Sequence, residues 1–202
     1  MPSPSLAPIL PPLPAHTYAE FRSLVGQLAA EQRTSGPDQT PGLVRVTQQN
    51  LAHLDRAFAV PLLPALVEKL ARLPQPEHWL MLAEAWCGDT AHTLPVLARL
   101  ADESRGAVRL SVLLRSDHPA LMAAHQTNGT NSIPKLIRLD AATGAALGDW
   151  GPRPAEAQVL SKALHDDKTL HTNHILKTMN AWYATDNGQA VQQELLRLLA
   201  SG

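Results

Sequence analysis

The stretch Trp79-Leu80-Met81-Leu82-Ala83-Glu84-Ala85-Trp86-Cys87-Gly88-Asp89-Thr90 runs from a short apolar segment into a helical pattern and places the chain's single cysteine at the junction. Pro74-Gln75-Pro76 cuts the apolar run off upstream, so its length suits a buried strand better than a helix. The pattern predicts a strand over 78–85 and a helix over 88–104. Unpaired amides at a helix N-terminus favour a thiolate over a thiol, so a cysteine at such a junction is placed for chemistry. With one cysteine, no second thiol of the same chain attacks a mixed disulfide formed at Cys87.

Downstream the elements alternate. A Val/Leu-rich strand is expected from Val108 to Leu114, a short helix over 118–126 and a strand over 135–139. Asp140-Ala141-Ala142-Thr143-Gly144 has turn chemistry, Ala145 to Trp150 returns as a hairpin strand, and Pro154 opens a helix at its N1 position. The order βαβαββα indicates an α/β fold.

Upstream, Thr17 and Glu20 form a capping box ahead of the apolar stripe Phe21, Leu24, Val25 and Leu28, so a helix begins near Tyr18. Two more helical patterns follow, one carrying Leu43, Leu51 and Leu54 and one running from Leu62 to Leu73. Further helices are expected over 172–184 and 188–200. The organisation expected is a Pro-rich N-terminus and helical extension over 1–75, an α/β domain over 76–165, and C-terminal helices over 166–202 that pack on the same domain. The first 14 residues, rich in proline and uncharged, are expected to be extended or mobile.

In a chain of 202 residues, 45% hydrophobic content is enough for a real core, and the net charge of -1 supplies no overall positive field to gather nucleic acid or anionic lipid. No apolar run approaches the ~20 residues of a membrane-spanning helix. The segment before Arg22 lacks the basic and apolar regions of a secretory signal, and one cysteine suits a reducing compartment, so a cytoplasmic location is expected. Nine histidines raise the question of a metal. Neither Cys87 with His92 nor His165, His171 and His174 has a recognised ligand spacing, so neither a metal nor a cofactor is expected.

The Trp-Cys-Gly turn between the first core strand and its helix, Pro95 eight positions beyond Cys87, and a proline opening the third core strand after Asn131-Ser132-Ile133 together resemble the thioredoxin family over about residues 76–165. Trp86-Cys87-Gly88-Asp89, Asn128-Gly129, Ser132-Ile133-Pro134-Lys135 and Trp150-Gly151-Pro152-Arg153-Pro154 make the chain similar to a bacterial thioredoxin-like branch with a helical N-terminal extension. The resemblance implies a thioredoxin-like fold, with Pro134 as the cis-proline that faces the active-site sulfur and leaves the Ile133 backbone free to pair with an extended substrate. A trans proline starting a strand is the alternative at Pro134.

The sequence also departs from the family pattern. A dithiol thioredoxin has its resolving cysteine where this chain has Thr90, and its buried carboxylate would fall at Met81. The Thr90 hydroxyl, one helical turn on, can donate to a thiolate, whereas the Asp89 carboxylate disfavours one. These influences oppose each other and the residues alone do not rank them. Glu84 reads either as a proton acceptor or as an exposed strand-end residue, and Trp86 either as a contact surface or as a cover for the core. Arg115 and Arg153 either reach an anionic ligand or are solvated.

The reading is monothiol exchange. Cys87 attacks a protein disulfide or accepts a low-molecular-weight thiol, Thr90 steadies the sulfur, and an external thiol regenerates the protein. Trp86, Gly88, Asp89, Ile133 and Pro134 are expected to bind substrate. The alternative is a non-catalytic binding module that keeps the groove without redox work. Oligomeric state is left open.

Overall fold

In a computed structural model, which describes residues 14–200, four strands form one mixed sheet in the order β2-β1-β3-β4, where β1 is Glu77–Ala83, β2 Val108–Leu114, β3 Lys135–Asp140 and β4 Ala146–Trp150. β1 runs parallel to β2 and antiparallel to β3, and β3 pairs antiparallel with β4. The proline-rich residues 1–13, read from sequence as extended or mobile, lie outside the described residues.

β1 reads as a continuous apolar run because both of its faces are covered. Trp79, Met81 and Ala83 enter the main core, whereas Leu80 and Leu82 join a second cluster with Leu113, Met122, Ile133 and Cys87 on the other face. The helix after the turn, α4 (Gly88–Glu103 in chain order), buries Leu94, Val96, Leu97 and Leu100 against the main core and carries Pro95 within it.

The N-terminal helices are α1 (Tyr18–Ala30), α2 (Pro41–Phe58) and α3 (Pro64–Leu70). The capping box opens α1 as expected: the Glu20 amide donates to the Thr17 hydroxyl and the Thr17 amide to the Glu20 carboxylate. α2 lies along α4. After α5 (Pro119–Ala124) and α6 (Ala155–Asp166), α7 (Thr172–Asp186) packs on α6 through Ile175, Met179 and Tyr183, and α8 (Gln189–Ala200) sends Val191, Leu195 and Leu199 into the main core.

Three local expectations are corrected. The first strand stops at Ala83, so Glu84 and Ala85 belong to the turn. The expected helix over 118–126 is a 3₁₀ turn, Arg115–Asp117, followed by α5, because Pro119 disfavours a helical conformation at His118, which sits at φ -127° and ψ 54°. Pro154 is the N-cap of α6 rather than its first helical residue. Among the described residues no helix is long and apolar enough to cross a membrane.

Candidate functional site

The site is built on one backbone turn held from both sides. The amide of Ala85, two residues before the cysteine, donates to Ser35 Oγ at 2.8 Å, and its carbonyl accepts from Asn50 Nδ2 at 2.8 Å. Ser35 Oγ also donates to the Glu84 carboxylate, whose other oxygen accepts from the Ser116 amide at 2.8 Å. Glu84 is 1% exposed. It is neither an exposed strand end nor a free base, since both oxygens tie the turn to the segments beside it. Asn50 and Ser35, both buried, went unnoticed in the sequence because polar residues on a helix and in a loop read as solvated.

Cys87 is the N-cap residue of α4, yet its side chain caps nothing. Its Sγ donates instead to the Ile133 carbonyl at 3.4 Å, across the Ile133–Pro134 peptide, which is cis. The Ile133 carbonyl, expected from the resemblance to pair with an extended substrate, here accepts from the thiol. Burial pushes the Cys87 thiol up to about 11, with the Asp89 charge adding to the rise, while Thr90 and the Arg153 charge act against it. Desolvation of a thiolate thus outweighs the favourable helix terminus. Thr90 Oγ1 is buried and makes no hydrogen bond among the described residues, so its pull on the sulfur falls short of a full one.

Asp89 is a pinned residue. Arg153 holds Oδ2 through both Nε, at 3.0 Å, and Nη2, and the Tyr183 hydroxyl donates to Oδ1 at 2.8 Å. Burial and the Asp89 charge push the Tyr183 hydroxyl far up, so it stays a donor. Beneath this pair the His92 ring stacks on Tyr183 at 4.4 Å, packs against His53 at 4.6 Å, and shares a 3.0 Å hydrogen bond between Nε2 and Asn180 Oδ1. Burial lowers His92 to about 4, leaving it neutral. No group of three or more His, Cys, Asp or Glu among the described residues is arranged to hold a metal ion.

Above the turn lies a cavity of about 1310 Å³. Its floor is Trp86 to Asp89 with Thr130 to Ile133, one wall is α2 from Gly42 to His53, and the facing wall is α7 from Thr172 to Asn180. Gly88 faces open space, since a Cβ built there meets nothing within 4 Å. The Arg115 guanidinium sits 5.1 Å from the Trp86 ring centre and donates to the Asn131 carbonyl at 3.0 Å, so Trp86 is a platform already occupied on one face. The expected site residues Trp86, Cys87, Gly88, Asp89 and Ile133 all line this cavity, whereas Thr90 and Pro134 stand behind it. Arg153, Tyr183 and Asn180 complete the surroundings. Arg153 was legible as a charged residue close to Trp150-Gly151-Pro152, but the other two carried no local signal.

A thioredoxin family model matches residues 40–168. No match is found among curated proteins. Two solved structures are similar over 93% of the chain. One is a protein of unknown function from Pseudomonas aeruginosa, 20% identical, 93% of it covered, with a TM-score of 0.54. The other is an HIV epitope scaffold, 19% identical, 99% of it covered, with a TM-score of 0.52. At these identities the two likenesses concern the fold alone.

Proposed function

The chain belongs to the thioredoxin family, and from that premise we propose that it acts as a binding module whose groove over Cys87 takes an extended ligand, with Cys87 serving as a neutral thiol in the floor. The observation that carries this reading is the hydrogen bond from Cys87 Sγ to the Ile133 carbonyl at 3.4 Å, made by a sulfur only 6% exposed. A thiol engaged in this way, with its ionisation pushed up to about 11, holds little thiolate at neutral pH. The cavity of about 1310 Å³ exceeds the roughly 300–1,000 Å³ usual for a small-molecule pocket and suits a chain-like occupant.

A second reading, monothiol exchange, is favoured by one observation: Cys87 lines the groove beside the Arg153 charge, which favours the thiolate. In that reaction the Cys87 thiolate attacks one sulfur of a disulfide, the other sulfur leaves as a thiolate, and an external low-molecular-weight thiol then cleaves the mixed disulfide and restores Cys87. A protein disulfide or such a thiol is its partner, and the reducing cytoplasm suits the lone cysteine. Cys87→Ser separates the two readings. Retention of the partner on the variant, with no mixed adduct by mass for the natural chain at mildly alkaline pH, supports the binding module. An adduct together with loss of all activity in the variant supports exchange.

A further inference from the structure

The groove's walls come from the terminal helices, and so do two of its four Lys and Arg residues, Arg45 and Lys177. Asp89, the acidic residue of the lining, is matched by Arg153 and Tyr183. Three other cations remain. Arg45 on α2 and Lys177 on α7 both line the opening and are exposed, and among the described residues neither has an ion-pair or hydrogen-bond partner, while Arg115 on the floor meets only a carbonyl and the Trp86 ring. Cations gathered on one groove without a counter-charge favour an anionic occupant. The whole chain carries a net charge of -1, so this excess in the groove does not reflect the overall charge.

The same opening presents carboxamides. Gln49 on α2 and Asn173 on α7 line it with no hydrogen-bond partner among the described residues. A carboxamide offers both donors and an acceptor and so matches a peptide backbone, which alternates N–H and C=O, better than a polyphosphate, which only accepts. One face of Trp86 is covered by Arg115, so a base cannot stack upon that face.

We infer that the groove recognises an extended peptide segment bearing side-chain carboxylates, with Arg45, Lys177 and Arg115 meeting the acidic side chains and the carboxamides meeting the backbone. This rests on the binding reading above and names the chemistry of its occupant. Selectivity then lies in the helical extensions, and the cysteine turn supplies the floor.

The test uses fluorescence anisotropy with the full chain and three cysteine-free labelled peptides in which serine alternates with glutamate, glutamine or lysine, beside a short single-stranded oligothymidylate. The glutamate peptide is expected to bind at least about tenfold more tightly than the glutamine peptide, and to weaken as salt rises from about 50 to 300 mM. Arg45→Glu with Lys177→Glu, both at exposed positions, is expected to remove most of that preference while circular dichroism stays unchanged. Equal binding of the glutamate and glutamine peptides overturns the inference and leaves the binding reading standing. Tighter binding of the oligothymidylate than of any peptide overturns the peptide assignment. Absence of binding by all four probes overturns both the inference and the reading beneath it.

Discussion

At the scale of single residues, the ionisation of Cys87 is set by its neighbours. Burial is the largest influence and the Asp89 charge the second, opposed by Thr90 and Arg153. Asp89→Asn removes the repulsive charge and leaves Arg153 in place, so it is expected to lower the Cys87 pKa, whereas Arg153→Met is expected to raise it. Alkylation rate against pH measures both, and opposite shifts would contradict the assignment. His92 supplies a second residue-level prediction. Held at about 4 in the fold against 6.5 for an ordinary histidine, it stays neutral while the unfolded chain takes up a proton, so stability is full above about pH 6.5 and falls as pH drops towards 4. The loss is on the order of 3 kcal/mol, and urea titrations across that window should show it, with a flatter profile in His92→Phe.

Cys87 and Ile133–Pro134 were legible in the sequence because each sits in a short local pattern. The partners of Asp89 were not, since Arg153 and Tyr183 lie 64 and 94 positions away and no periodicity connects them.

At the scale of elements, β1 was readable as a strand from its apolar run, but the ion pair it carries was not. Glu77, 4% exposed, accepts from Arg138 at 2.6 and 2.8 Å and from Trp79 Nε1 at 2.7 Å. This pairing depends on the register that sets Trp79 opposite Arg138, which a linear pattern does not give. Arg138→Met strands a buried carboxylate and is expected to cost about 3–5 kcal/mol in urea unfolding. The link between β4 and α6 has a similar hidden requirement. Gly151, at φ 115°, would place a Cβ 2.3 Å from the Pro134 carbonyl oxygen, so backbone there must shift for any other residue. Gly151→Ala is expected to lower stability by at least about 2 kcal/mol, measured by the same unfolding curves. The sequence shows that glycine, but not the oxygen that makes it necessary.

At the scale of the whole molecule, amphipathic stripes predicted the terminal helices without saying where they lie. α2 and α7, separated by most of the chain, become the two walls of one groove, and Asn50 on α2 fixes the backbone of the cysteine turn. Asn50→Ala leaves the buried Ala85 carbonyl without its donor, an expected cost of about 1–3 kcal/mol, and a mere surface helix would show no such loss on thermal or urea denaturation. The extensions therefore build the site as well as covering the sheet. What stands at its centre is a thiol kept protonated by its surroundings, and ultraviolet titration of thiolate absorbance in the natural chain tests this most directly. A midpoint near 11 is predicted. A midpoint below that of free cysteine, roughly 8.5, would contradict it.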